Sequence, residues 1–448
     1  MANKIAVIGA GSAVFSLNLI RDLCLTENLQ GSTISLMDIN QQRLDAIHLL
    51  CTRYAQEMGR EFIVQKTTDR QEALQEANFV INTALAGDHD KLRGGWAIAR
   101  ELGYRFGGSY AIMHDEAFWV NFYQMRLFDS VIQDVLSICP GAWYIQLANP
   151  VLMGITYLTR KYPRAKIVGL CHGFSGVYHI ARVLGLDKEH VTFQIPGVNH
   201  TVWLTHFYYK GENAFPLLDE WIEKKSASYF ETVRPSSDLG PKAVDLYKRF
   251  GVFPIGDTCT PGGGTWPWWY HVDEATERSW REDPALWWEG YFPAGRATVD
   301  KILRAGRDMS VKVTEALPPE QSGEVIVPLV ESIACDIPRV IQANIANSGN
   351  FVPGVPLDFE VEIPTLVSKR DVQGIATDGL PAPLIAYILR DRVGPVEIEM
   401  QAYEQRSREL LLQLIMMDPW TRSREQAQKL LDSILALPYL GEMREHYC

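Results

Sequence analysis

The sequence predicts an α/β protein: a doubly wound parallel sheet in the N-terminal part and an α+β lobe behind it. Three observations carry the prediction. Over the first 195 residues short apolar strands alternate with amphipathic stretches, the order that builds a parallel sheet with helices on both faces. A glycine-rich turn closes the first of those strands and opens a helix. Finally, 448 residues outgrow a single core, since domains cluster at roughly 100–150 residues, so two lobes or one large elaborated unit are expected. A change of texture near Ile195-Pro196-Gly197 sets the expected division at 1–195 and 196–448.

The strands of the first part are read at Lys4 to Gly9, Thr33 to Asp38, Phe79 to Ala84, Trp143 to Leu147 and Lys166 to Leu170, each a short apolar run bounded by turn residues. Helical periodicity covers Val14 to Leu25, Gln41 to Met58, Ala117 to Cys139 and Val151 to Lys161. Beyond the division, Trp203 to Tyr209 reads as a strand and Phe215 to Lys225 as a helix. A loop rich in Gly, Pro and Trp spans Gly251 to Tyr270, and a longer polar helix is expected over Pro293 to Arg307. Val325 to Ile345 reads as helix then strand, and Phe359 to Pro364 as a short strand. The tail from Leu384 to Leu437 is helical with charged faces; Asp418-Pro419-Trp420 interrupts it and Ser423 caps a last helix.

Composition narrows the function. With 47% hydrophobic and 22% charged residues the chain is an ordinary globular protein. Lys and Arg number 43 against 54 Asp and Glu, a net charge of −11, which argues against nucleic acid or an anionic membrane as the partner. The seven Cys are scattered without CxxC spacing, the usage of a reduced, cytoplasmic protein and not of a disulfide framework. Met1 to Lys4 run directly into Ile5-Ala6-Val7-Ile8, so no cleaved leader is expected, and no apolar run approaches the roughly 20 residues that span a bilayer. The 12 Trp stand out; aromatics belong mostly to cores, but they also make the platforms on which sugar rings stack.

Gly9-Ala10-Gly11-Ser12-Ala13-Val14 follows the first strand, where a turn and a helix N-terminus cradle a pyrophosphate. Gly9 permits the tight turn and Gly11 lets the backbone approach the phosphates; the third glycine of the full pattern is Val14 here. Asp38, at the end of the second strand, can hold a ribose diol and repel a 2′-phosphate, which favours NAD over NADP. Gly9, Gly11, Ser12 and Asp38 are therefore the expected cofactor residues of a Rossmann-like unit.

Chemistry gathers at the other strand ends. Cys171-His172-Gly173-Phe174 follows the strand Lys166 to Leu170, and ligands of an open α/β sheet bind outside the carboxyl ends of its strands. With His200, from Gly197-Val198-Asn199-His200, Cys171 makes a plausible divalent-metal pair that leaves positions for substrate or water oxygens. Asn149-Pro150 closes the strand Trp143 to Leu147, and its amide suits a substrate hydroxyl. Gly256-Asp257 leads into Gly262-Gly263-Gly264-Thr265-Trp266-Pro267-Trp268-Trp269, read as a sugar-facing or interface loop.

Together these pieces resemble glycoside hydrolase family 4, the NAD- and metal-dependent glycosidases, over nearly the whole chain: Ile8-Gly9-Ala10-Gly11-Ser12, Asn149-Pro150, Cys171-His172, Asn199-His200, Gly256-Asp257, Asn344 to Gly349 and Val361-Glu362-Ile363-Pro364. The resemblance implies a lactate/malate dehydrogenase-like superfold and hydrolysis by oxidation at C3 of the sugar, metal-assisted deprotonation at C2, elimination at C1, water addition and re-reduction. This is an alternative to the two-carboxylate route of most glycosidases. It implies Cys171 and His200 as ligands of Mn²⁺ or another divalent metal, Asp257 as the C2 base with Tyr247 in reserve, and Asn149 as a substrate contact. His172 stands where relatives carry a general acid, with a catalytic or a sugar-orienting role. The segment Gly107 to Glu116 departs from the family's glycine-rich pattern, so no contact is carried over there. Cys-His-Gly resembles the α-glucuronidase branch, and Gly173 makes room beside C6 of the sugar; a uronic-acid glycoside is thus the expected substrate, with Arg105 or Lys91 to pair its carboxylate. α-Galacturonides and neutral α-glucosides or α-galactosides are the alternatives within the family, and a homodimer or homotetramer is expected. Outside it, a 2-hydroxy-acid dehydrogenase and a non-catalytic NAD-binding protein compete; neither has a reason to keep Cys171, His200 and Asp257 together.

Overall fold

The computed structural model describes residues 3–87 and 89–448. Its centre is a 12-stranded sheet. The N-terminal part supplies β1 (Lys4–Ile8), β2 (Thr33–Met37), β3 (Ile63–Thr67), β4 (Phe79–Asn82), β5 (Trp143–Gln146) and β6 (Lys166–Gly169). These lie in the order β3-β2-β1-β4-β5-β6, all parallel, which is the doubly wound arrangement with its switch point between β1 and β4. The expected strands are all present; β3 was not legible. Helices α1 (Ala13–Leu25) and α2 (Gln41–Glu57) make the first crossovers, and Phe118–Ile138 and Val151–Lys161 the later ones.

The second part continues the same sheet. A small sheet is formed by β7 (Val191–Gln194), β10 (His206–Tyr209) and β11 (Glu212–Asn213), while β8 (Gly197–Val198), β9 (Thr201–Leu204), β12 (Phe253–Ile255), β13 (Arg339–Ala346), β14 (Glu360–Val367) and β15 (Val372–Gly374) join the large one. β13 pairs antiparallel with β6, and the order then runs β13-β14-β8-β9-β12. The single strand expected over Trp203 to Tyr209 is two: β9 ends at Leu204, β10 begins at His206, and they serve different sheets. The polar helix expected from Pro293 starts at Pro284, where Asp283 caps it by accepting the Leu286 N–H, and Pro293 lies inside it. The helix after Ser423 (Arg424–Leu435) is capped as expected and is followed by one more, Gly441–Tyr447.

Alternation along the strands sorts the core. Ala6 and Ile8 of β1 enter one apolar cluster and Ile5 and Val7 the other, so both faces of the sheet are covered. A third, aromatic-rich cluster joins helix His89–Glu101 and the start of Phe118–Ile138 to the C-terminal helices. All 12 Trp lie in these clusters or pack against them. Among the described residues no helix is long and apolar enough to cross a membrane.

Candidate active site

One row of paired residues crosses the sheet from β3 to β12: Thr67, Met37, Ile8, Asn82, Gln146, Gly169, Asn344, Glu362, Gly197, Val202, Ile255. Register therefore does the gathering. Gly9, Asp38, Asn149 and Cys171 lie just beyond β1, β2, β5 and β6; His200 lies in the turn between β8 and β9, and Asp257 just beyond β12. A cavity of about 1040 Å³ opens at these strand ends, and Asn149, Cys171, His172, Gly173, His200 and Asp257 all line it.

Two loops meet there through glycine. Gly256 has φ +54°, and a Cβ on it would lie 2.2 Å from the Gly173 carbonyl oxygen, so the backbone carrying Cys171 and His172 rests directly on the backbone carrying Asp257. A Cβ on Gly173 itself would meet only Cys171 Sγ at 3.8 Å and the Asp257 N at 4.0 Å. This position borders open cavity.

The electrostatics are those of crowded acids. Burial, then Glu362 and Asp257, pushes the Cys171 thiol well above its usual range. Burial raises the Glu362 carboxyl to about 7, with Asp257 adding to the rise, although the Asn199 Nδ2 donates to it (3.0 Å). Glu360 accepts from the Asn199 backbone N–H at 3.1 Å. His200 is held in the left-handed region (φ 60°) with Nδ1 3.5 Å from Glu116 Oε1, and burial disfavours its imidazolium. Asn199 Oδ1, Glu362 Oε1 and Glu116 Oε1 are buried without hydrogen-bond partners. A thiol and an imidazole among carboxylates with unspent acceptors fit a divalent cation, which would lower the thiol and compensate the acids together. His172 is half-exposed, with Nδ1 3.7 Å from Glu324 Oε2.

The strand ends of the first part fit a dinucleotide. Gly9 has φ +86°, and a Cβ there would strike the Ala84 backbone at 2.6 Å. The Gly11 N–H donates to Asp38 Oδ2 (2.7 Å) and the Asn40 N–H to Oδ1 (2.8 Å), which fixes the carboxylate at the crevice. Ser12 opens α1, whose first turn carries no acid, so the positive end of the helix is left for an anion. Ile39, Leu85 and Val14, all exposed, present apolar surface beside these ends.

Other expectations fall away from the cavity. Trp266, Trp268 and Trp269 do not line it: Trp266 is buried with Nε1 donating to Asp391, Trp268 packs edge-on to Trp420, and Trp269 meets Tyr387. Aromatic packing there outweighs exposure to a sugar. Tyr247 donates to Asp219 (2.9 Å), Arg105 pairs with Glu277 (3.3 Å), and neither they nor Lys91 border the cavity.

Several polar residues escaped the sequence. His114, Asp115 and Glu116 bring ligand atoms within 4.8 Å of one another. Burial raises Asp115 to about 6 and Glu116 to about 8, and lowers His114 to about 4. His114 Nε2 lies 2.9 Å from the Gly262 carbonyl oxygen and Arg392 Nε donates to Thr201 Oγ1 (2.8 Å), so both brace the His200 and Asp257 loops. Tyr291 lies on the cavity wall, where desolvation of its hydroxyl and then Asp115 and Asp257 push it up to about 12. Three consecutive titratable residues in an apolar segment were the available signal for the first group.

The family 4 glycosyl hydrolase model matches residues 4–186, and the model of that family's C-terminal domain matches residues 195–421. The chain is 26% identical to an alpha-galactosidase of Bacillus subtilis, over 93% of each protein. It is 23% identical to an alpha-galacturonidase of Thermoanaerobacterium saccharolyticum, over 96% of this chain and 94% of the relative. A 6-phospho-alpha-glucosidase from gut microorganisms, solved in complex with NAD and Mn²⁺, superposes with a TM-score of 0.77 at 17% identity, over 98% of each chain.

Proposed function

The chain belongs to family 4 of the glycosyl hydrolases, and on that premise we propose that it hydrolyses α-glycosides of uronic acids, α-glucuronides first, with NAD and a divalent metal. The observation that carries the reading is the convergence of Asn149, Cys171, His172, His200 and Asp257 on one cavity at the sheet edge that also carries Gly9 and Asp38. Gly9, Gly11, Ser12 and Asp38 hold NAD; Cys171 and His200 hold the metal, Mn²⁺ in the first instance. In this reading 1–195 is the NAD-binding unit and 196–448 the substrate, metal and oligomerisation unit.

When bound, NAD⁺ supplies reversible hydride removal at C3, and the metal supplies electrostatic stabilisation of the enolate charge that develops beside it. The chain's own residues do the rest. Asp257 takes the proton from C2, made acidic by the neighbouring ketone. His172 orients the sugar and gives a proton to the departing C1 oxygen, Asn149 holds a ring hydroxyl, and water then takes the leaving group's place at C1 as Asp257 returns the proton to C2. Gly173 supports an acid sugar because it leaves the space beside Cys171 open.

The test is turnover of nitrophenyl α-glucuronide with NAD⁺, Mn²⁺ and reductant, against the matching galacturonide and glucoside. Nitrophenol without net NADH is expected, and fastest from the glucuronide; stoichiometric NADH would return the protein to the dehydrogenases. Cys171→Ser is expected to weaken Mn²⁺ binding at least tenfold by calorimetry, and unchanged affinity removes Cys171 from the metal site.

A further inference from the structure

The cavity is longer than its catalytic end. At about 1040 Å³ it sits at the top of the roughly 300–1,000 Å³ range of small-molecule sites, and one wall is a face of the helix Gly176–Leu184. Gly176, His179 and Arg182 recur at helical spacing along that face, so Arg182 stands about 9 Å farther along the axis than Gly176. Leu186, Asp187 and Lys188, which follow that helix, and Asp238, opposite His179, also line the cavity.

The charges there are mostly engaged. Asp238 lies 3.1 Å from His179 Nδ1, whose Nε2 faces the Tyr229 hydroxyl at 3.2 Å. Asp187 accepts the Glu189 N–H (3.1 Å), and Lys188 faces Glu189 at 4.0 Å. Among the described residues Arg182 has no such partner: its guanidinium makes no side-chain hydrogen bond or ion pair, although it lines the cavity. Neither Arg105 nor Lys91 borders this cavity.

We propose that Arg182 is the carboxylate-recognising residue of this cavity, reaching from the helix wall to bind the acid group of the substrate. This rests on the reading of the cavity as a glycoside site. A guanidinium offers a planar pair of donors matched to a carboxylate, and a pre-existing ion pair would first have to be broken; here none is present. The carboxylate can belong to the sugar ring or to the leaving group, and the two sources separate experimentally.

The protein is loaded with Mn²⁺ and NADH, the cofactor form that cannot accept the hydride, and binding is measured by calorimetry. One pair of probes is glucuronate and glucose; the other is 4-carboxyphenyl α-glucoside and phenyl α-glucoside. In at least one pair the acid is expected to bind tenfold or more tighter than its neutral partner. Arg182→Gln should erase that preference while changing the neutral ligand less than twofold, and Arg182→Lys should retain part of it. No preference in either pair, a preference that survives Arg182→Gln, or equal weakening of acid and neutral ligands overturns the assignment. A glucuronate preference that survives the substitution leaves the uronide reading standing and removes Arg182 alone. Loss of the carboxyphenyl preference with no glucuronate preference keeps Arg182 and moves the acid to the leaving group.

Discussion

A methyl group at position 263 would lie 1.8 Å from the Asp257 carbonyl oxygen and 3.1 Å from that of His200, so Gly263 sets how closely the loop behind the cavity approaches two of the residues proposed to act there. Gly263→Ala is expected to cost about 1–3 kcal/mol of stability as an overpacked contact. It should also lower kcat by up to about 100-fold, the order of loss that follows from moving a reacting group by an ångström. Urea unfolding and kcat on the same preparation check it; wild-type kcat in a folded variant would show that the loop does not position Asp257. At this scale legibility was uneven for a physical reason. That Cys171, His200 and Asp257 come to one cavity was readable because each stands just past the end of a strand. Glu360 and Glu362 were not, because Glu-Val-Glu-Ile reads as a strand with its acid-bearing face in water, whereas here that face, which carries both acids, is covered as well.

Elements were legible where apolar runs were strong and lost where tertiary packing decided. β3 is an edge strand whose five residues are exposed or half-exposed, so its sequence carries no core signal. The start of Pro284–Arg307 was misplaced because Pro293 invites a first turn, while the Asp283 cap begins the helix earlier. Just before that helix, Glu282 Oε2 accepts from Lys242 Nζ at 2.8 Å, and both side chains are fully buried. This ties helix Pro241–Phe250 to the entry of Pro284–Arg307, the helix that brings Tyr291 to the cavity. Lys242→Met leaves an acid buried without its cation and is expected to cost about 3–5 kcal/mol; adding Glu282→Leu should recover most of that, since removing a whole buried pair is often neutral. A double-mutant cycle on unfolding free energy measures it. If the two losses simply add, the pair does not hold these helices together.

Across the whole molecule the buried acids give stability a direction with pH. Glu399, 4% exposed, accepts from Asn121 Nδ2 at 3.0 Å and thereby links helix Gly394–Gln405 to Phe118–Ile138. Burial raises its carboxyl to about 8, against an ordinary 4.5. Burial likewise raises Asp418 to about 7, although its oxygens accept the Ser109 and Trp420 N–H groups. Between the ordinary value and the raised one the native protein keeps a proton that the unfolded chain has released, so stability is full below about pH 4.5 and is lost as pH rises toward 8, at roughly 1.4 kcal/mol per unit per group at most. Glu399→Gln keeps an acceptor for Asn121 and removes one of these titrations. Its urea midpoint should match the wild type near pH 5 and exceed it by pH 8.5, with a shallower decline between. Asp418 and the raised acids around the cavity, Asp115, Glu116 and Glu362, supply the slope that remains. Parallel midpoints for the two proteins from pH 5 to 8.5 would mean that Glu399 is not held protonated. The net charge of −11 presses the same way, since each buried acid that ionises adds to the self-repulsion of an already acidic fold.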